Sequence, residues 1–266
     1  MTSARHIEVH LRSGEEGCRW AREQKAVAVV VDALRASATI TCLLQRGAAE
    51  VLVVKEVDEA YAYRETHPDT LLVGERGGLK VDGFDFGNSP TEIQRAEVWG
   101  RRVVFTSTTG AQRLVDCLGA SAITVGTTIN ASAVARQVRA KALAENVPIV
   151  IIPAGLATDP SVIADEDWLG ATVLAARLGL PLHQASEAPF QQYQELIQSA
   201  GLLAGFLQSS HGQKLVHLGF SDDIHVCAQV DLITDIVPTL TAVVPMPCGG
   251  QGVHLERGTV EHAPAL

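Results

Sequence analysis

The 266-residue chain is poor in aromatic residues, which make up 5% of it, and it has no run of more than two basic residues. Without a basic block to neutralise a phosphate backbone, nucleic acid is not an expected partner. No apolar run approaches the 18 residues of a membrane span, so no membrane association is expected. The five cysteines, Cys18, Cys42, Cys117, Cys227 and Cys248, form neither a CxxC pair nor a metal-finger spacing. Their odd number and scatter fit free thiols in a reducing compartment. With no signal-peptide core at the N-terminus, a cytoplasmic location is expected.

Several catalytic signatures are also missing. The turn after the first apolar segment reads ALRAS (Ala33–Ser37) instead of GxGxxG, which leaves a dinucleotide site unsupported. GERGGLK has its glycines in the wrong places for a Walker loop. GxSxG is absent, and no cysteine has an arginine six positions later. His211, His217 and His225 show no ligand spacing such as HExxH and are left out of the expected site.

What is present is an acidic, moderately apolar chain, with net charge −9 and 47% hydrophobic residues. At this length one large domain can bury its own core without disulfides. The acidity is concentrated late: from Pro181 onward there are two basic residues, Lys214 and Arg257, against eight acidic ones. Small anions remain compatible, because a few arginines and helix N-termini can hold them inside an acidic protein.

Apolar runs recur with helical segments between them. AVAVVV at Ala26–Val31 reads as a strand buried on both faces. Further strands are expected at Val51–Val54, Leu71–Gly74, Arg102–Thr106, Ala122–Gly126 and Pro148–Ile152. Helices are expected at Ser37–Gln45, Asp58–Thr66, Pro90–Val98, Ala111–Leu118, Asn130–Glu145 and Asp165–Gly179. Six βα units predict an α/β fold: an open, mostly parallel sheet with helices on both faces and Rossmann-like layering. From about residue 181 the pattern turns mainly helical, with segments at Ala188–Gln208 and Asp222–Val230. VPTLTAVVPMP then offers an edge strand. Residues 1–250 are read as one domain and 251–266 as a polar, loosely held tail. The Ala- and Leu-rich stretch around Leu196–Leu207 suits either a sheet cover or a two-fold homodimer interface.

In an open parallel sheet, ligands bind beyond the C-terminal ends of the strands. Polar residues recur at those ends: Asp32, Arg35 and Ser37; Glu75 and Arg76; Thr106 to Gly110; Thr127, Thr128 and Asn130; and Asp159, Asp165, Glu166 and Asp167. Asp32 either binds a cation, pairs with Arg35 or caps the next helix. Asp82 and Asp85 suit a turn as well as a metal. Ser89 before Pro90 is a helix-start signature, and Asn130 equally suits a cap. Glu166 and Asp167 fall in the first turn of a helix, where acidic residues are stabilising whatever their role.

The order of these loops resembles the 2-phosphosulfolactate phosphatase family. The matching segments include VVVDALRASATI (Val29–Ile40), LLVGERGG (Leu71–Gly78), GFDFGNSP (Gly83–Pro90), TSTTGA (Thr106–Ala111) and INASAVA (Ile129–Ala135). ADEDWLGA (Ala164–Ala171), SSHGQKL (Ser209–Leu215) and the stretch Ser221–Pro238 continue the match. The resemblance implies a magnesium-dependent phosphatase converting 2-phospho-3-sulfolactate to 3-sulfolactate and phosphate. Two places depart from the family pattern. Thr108-Thr109-Gly110-Ala111 stands where Thr-Asn-Gly-Thr is usual, and Pro153 stands where a cysteine is usual.

By chemistry, Mg²⁺ would take ligands from Asp32, Glu75 and Asp85, with Glu166 or Asp167 as alternatives. Arg35 or Arg76 would hold phosphoryl oxygens, assisted by Asn88, Ser89, Asn130, Ser107 or Thr108 and the N–H groups near Gly110. Leu34 occupies the position that would complete a DxD pair with Asp32, so attack by water is expected over an aspartyl-phosphate, with Glu166 or Asp167 as base. A phosphatase for another small phosphorylated acid, or a non-catalytic anion-binding homologue, are the alternatives.

Overall fold

The computed structural model describes residues 7–156, 159 and 163–258. Its strands are β1 (Val9–Leu11), β2 (Val27–Val31), β3 (Glu50–Val53), β4 (Leu71–Arg76), β5 (Leu79–Lys80), β6 (Arg102–Thr106), β7 (Ala122–Val125), β8 (Ile149–Pro153), β9 (Pro238–Pro245) and β10 (Gln251–Arg257). They form one sheet in the order β1-β8-β2-β7-β9-β10-β3-β6-β4-β5. Helices occupy the connections, which bears out the α/β class and the mostly parallel sheet.

Apolar side chains explain most of this placement. All five residues of β2 are buried, as a strand covered on both faces requires. In β3, β4 and β6 the alternation sorts residues by face. Leu52, Leu72 and Val104 pack with Ala60 and Tyr63 of helix Val57–Thr66. Val51, Val53, Val73, Val103 and Phe105 join the large core that also holds β2, β7 and β8.

The C-terminal strands differ from expectation. β9 lies between β7 and β10 instead of at an edge, and residues 251–257 of the expected tail form β10 beside β3. Residues 259–266 of that tail lie outside the described residues. β1 and helix Gly14–Gln24 precede the first expected strand. The expected helix Ala188–Gln208 is two helices, Gln184–Ala200 and Leu202–Gln208, divided at Gly201, whose φ is +86°. The helix at Pro90 stops at Ile93.

The antiparallel hairpin β9–β10 has a consequence for direction. It makes β3, β6 and β4 run opposite to β1, β8, β2 and β7. In a flat sheet the C-terminal ends of these two blocks would point to opposite edges. Hydrogen bonds across the junction place them together instead. The Gly110 N–H donates to Asp32 at 3.0 Å, Arg35 donates to the Gly78 carbonyl at 2.7 Å, and Arg113 donates to the Ala154 carbonyl at 2.9 Å. Strand twist of roughly 20–25° per step, accumulated from β2 to β6, contributes to the turn. A register shift between His254 and Leu255 adds to it, since bulges sharpen twist.

His10 of β1 lies between the rings of Trp20 and His183, with centroids 4.3 and 4.5 Å away. Burial, then the nearby His183 and Arg12, push its pKa down to about 4. An unfolded histidine takes up its proton near pH 6.5 while the folded one stays neutral, so stability falls as the pH drops from about 6.5 toward 4. His10→Gln is expected to flatten that acid-side loss, measured as urea midpoints at pH 7 and pH 4.5. Equal pH dependence in both proteins would refute it.

Candidate active site

Where the two blocks meet there is a cavity of about 250 Å³. Its wall includes Asp32 from the end of β2, Glu75 from the end of β4, and Glu166 and Asp167 from the first turn of helix Asp165–Leu178. Arg35, Asn88, Thr108 and Thr109 complete the side formed by the strand ends. Four of the expected acids therefore share one space although 135 positions separate the first from the last.

Each carboxylate is held by backbone. Asp32 accepts the Ala36 N–H at 3.3 Å with one oxygen and the Gly110 N–H with the other. Gly110 permits this approach: a Cβ there would sit 2.7 Å from Asp32 Oδ2. Glu75 accepts the N–H groups of Gly78 and Thr108, both at 2.7 Å. Asp167 accepts those of Ala33 at 2.8 Å and Gly155 at 3.0 Å.

The N–H groups of the TSTTGA turn are thus already engaged. Thr108 serves Glu75, Gly110 serves Asp32, and Ala111 donates to the Ser107 hydroxyl at 3.0 Å. This corrects the expectation that Ser107 and the N–H groups near Gly110 bind an external anion. Ser107 is a buried cap, and the anion at this helix start is the protein's own Asp32.

Burial raises the pKa of Asp32 to about 6, helped by the charge of Glu75 and opposed by its N–H bonds. Glu166 rises to about 7, chiefly by burial and further by Asp32. Asp167 is pushed well above the usual carboxylate range by burial, then by Asp32 and Glu166. Burial and mutual repulsion thus both favour the protonated form of these carboxyls in this cavity.

Arg35 is only 2% exposed and is not paired with Asp32. It donates to Asp223 at 2.7 Å and stacks on the Phe220 ring, 4.2 Å from its centroid. Its Nε, with Asn88 Oδ1 and the Thr108 hydroxyl, is a buried polar atom without a partner. All three residues line the cavity, so these unpartnered atoms lie in its immediate wall.

The turn between Glu75 and this cavity explains the glycines of GERGG. β4 and β5 pair Arg76 with Leu79, leaving Gly77 and Gly78 as a two-residue hairpin loop. Both have positive φ, +64° and +95°, the conformation such a tight turn demands.

Four expected residues lie elsewhere. Arg76 follows Glu75 in a strand and so points to the other face. It donates to the carbonyls of Glu75 and Lys55 and to the Thr106 hydroxyl, outside the cavity lining. Asp85 accepts the Leu72 N–H at the start of β4, the far end of that strand from Glu75, and pairs with Arg64 at 3.3 Å. Asn130 is fully buried and caps its own turn through the Thr127 N–H. Ser89 caps the helix at Pro90 and donates to Asp223, lining a neighbouring cavity that shares Arg35 and Asn88.

Ser210, His211 and Lys214 were not expected, yet helix Ser210–His217 places all three on the cavity wall. Burial, then Lys214 and Arg35, lowers the His211 pKa to about 4, so its ring is neutral at pH 7. Asp223, the partner of Arg35, was also missed. The available signal was the i, i+3 spacing of His211 and Lys214 behind Ser209, a helix cap.

Among the described residues no three His, Cys, Asp or Glu side chains converge into a ready-made metal cluster. The donors present are nevertheless hard carboxylate oxygens, crowded enough to raise one another's pKa. A small divalent cation that keeps several waters needs only one or two of them. The donor chemistry fits such an ion, and Asp32 and Glu75 are the expected ligands that line the cavity, whereas Asp85 lies outside it.

A family model described as 2-phosphosulpholactate phosphatase matches residues 16–242. Three similar proteins, each named "Probable 2-phosphosulfolactate phosphatase", come from Deinococcus radiodurans, Carboxydothermus hydrogenoformans and Symbiobacterium thermophilum. They are 39%, 37% and 34% identical, over 84%, 81% and 81% of this chain and 91%, 86% and 91% of their own.

Proposed function

The chain belongs to the 2-phosphosulpholactate phosphatase family, a family of phosphoric monoester hydrolases, and on that footing we propose that it hydrolyses 2-phospho-3-sulfolactate with the help of Mg²⁺. The observation that carries this reading is the gathering of Asp32, Glu75, Glu166 and Asp167 around one small cavity, together with Arg35, Asn88 and Thr108.

Phosphoryl transfer depends mainly on positioning and on neutralising charge. An acid-lined cavity whose Arg35 is already paired with Asp223 is a poor receptor for a phosphate dianion by itself. A divalent ion held by Asp32 and Glu75 would reverse that balance and polarise the phosphoryl oxygens. In this reading Arg35, Asn88 and Thr108, which line the cavity, orient the phosphoryl group. Glu166 is the better base: its pKa near 7 suits proton removal from an attacking water at neutral pH. Asp167, like Asp32 and Glu75, accepts backbone N–H groups with both oxygens, and it ties the Ala33 and Gly155 loops together.

A second reading has one observation behind it. Thr109, where the family pattern has asparagine, lines the cavity, so the acid accepted beside the phosphoryl group can differ. Phosphate release from phosphosulfolactate, phospholactate and phosphoglycerate, with and without chelator, tests both. Turnover abolished by chelator and highest on phosphosulfolactate is expected, and D85N should keep it close to the parent level. Ligand binding without release of phosphate from any of the three would leave a non-catalytic homologue.

A further inference from the structure

Helix Ser210–His217 comes late in the chain but closes one side of the cavity. His211 and Lys214, three positions apart, share the face that lines it. The two cations there are in different states. Arg35 is tied to Asp223 and the Gly78 carbonyl and stacked on Phe220. Lys214 has no ion-pair partner among the described residues. The four carboxylates do not pair with it: Asp32, Glu75 and Asp167 are turned to backbone N–H groups, and Glu166 to its own N–H and the Ser209 hydroxyl. Its stem approaches the Gly77–Gly78 turn, where a Cβ at Gly78 would lie 3.9 Å from Lys214 Cε. Lys214, an exposed residue of the cavity lining, thus offers an ammonium without an ion-pair partner beside a neutral His211.

We propose that Lys214 is a specificity-determining residue: it receives the acid group, carboxylate or sulfonate, that the substrate carries beside its phosphoryl group. This rests on the phosphatase reading above. A compact ammonium suits a single oxyacid, and the fixed Arg35 and Asn88 are left for the phosphoryl end.

The test compares wild type, Lys214→Met and Lys214→Arg on three monoesters. Phospholactate carries a carboxylate, 2-phosphoethanesulfonate carries a sulfonate, and ethyl phosphate carries neither. In K214M the preference in kcat/KM for one of the acid-bearing esters over ethyl phosphate should fall about 10- to 100-fold, through KM more than kcat. K214R should recover most of it. Which ester suffers identifies the acid group. An unchanged preference overturns the proposal, as does an equal loss on all three esters, which would put Lys214 on the phosphoryl group. Calorimetric binding of 3-sulfolactate gives a readout without turnover: about tenfold or weaker affinity in K214M supports the role. Equal affinity in the two proteins, or no binding by wild type, overturns it. Binding by wild type that K214M weakens, with no phosphate released from any ester, would instead sink the phosphatase reading and leave Lys214 as an acid receptor.

Discussion

Asp32→Asn is expected to lower kcat for phosphate release by about a hundredfold or more. Asparagine keeps the shape but brings one NH₂ group to a site where both side-chain oxygens accept N–H bonds, from Ala36 and Gly110. It also removes the charge that crowds Glu166 and Asp167. Because that charge raises the Glu166 pKa, its loss lowers it, and the acidic limb of the pH–rate profile should move to lower pH. A role limited to capping helix Ala36–Gln45 would move stability alone. Near-parental turnover with an unmoved acidic limb would reduce Asp32 to that cap.

The second large effect concerns Arg35 and Asp223, which are 2% and 0% exposed. Arg35→Ala strands Asp223 as a buried carboxylate, left with Ser89 and Thr91 as its hydrogen-bond donors. Removing one partner of a buried pair costs about 3–5 kcal/mol, which for a chain of this size is a melting-temperature drop on the order of 10 °C. The double variant R35M/D223N removes both charges and should regain most of that stability. It should not regain activity, because the cavity still lacks its guanidinium. Thermal melts and phosphate release on the three proteins decide the matter. Recovery of turnover in the double variant would show that Arg35 acts only by balancing Asp223.

These residues also mark how far the chain could be read without coordinates. Runs such as AVAVVV are buried on both faces and legible at once. β9 reads as an edge strand, but its partner β10 is not seen, because β10 is polar at both ends and follows a turn rich in glycine. The acids after the strands were found because position in a βα unit predicts exposure at one edge. Arg76 was misplaced because neighbours in a strand face opposite ways. Asp85 was misplaced because it returns to the wrong end of β4. Lys214 and Asp223 reach the site through tertiary packing, for which the only local cue was the i, i+3 spacing of His211 and Lys214 behind the Ser209 cap.

The seam between the two blocks bears on how the protein assembles. β7 and β3 are completed on one side only by β9 and β10, which are made last. Until residues 238–257 have left the ribosome, both blocks carry a raw border of unsatisfied amides able to zip onto a neighbour. Synthesis therefore passes through a sticky interval that ends only when the closing ribbon arrives. The same ribbon joins the block that carries Asp32 to the block that carries Glu75, so the cavity between them has no frame until it arrives.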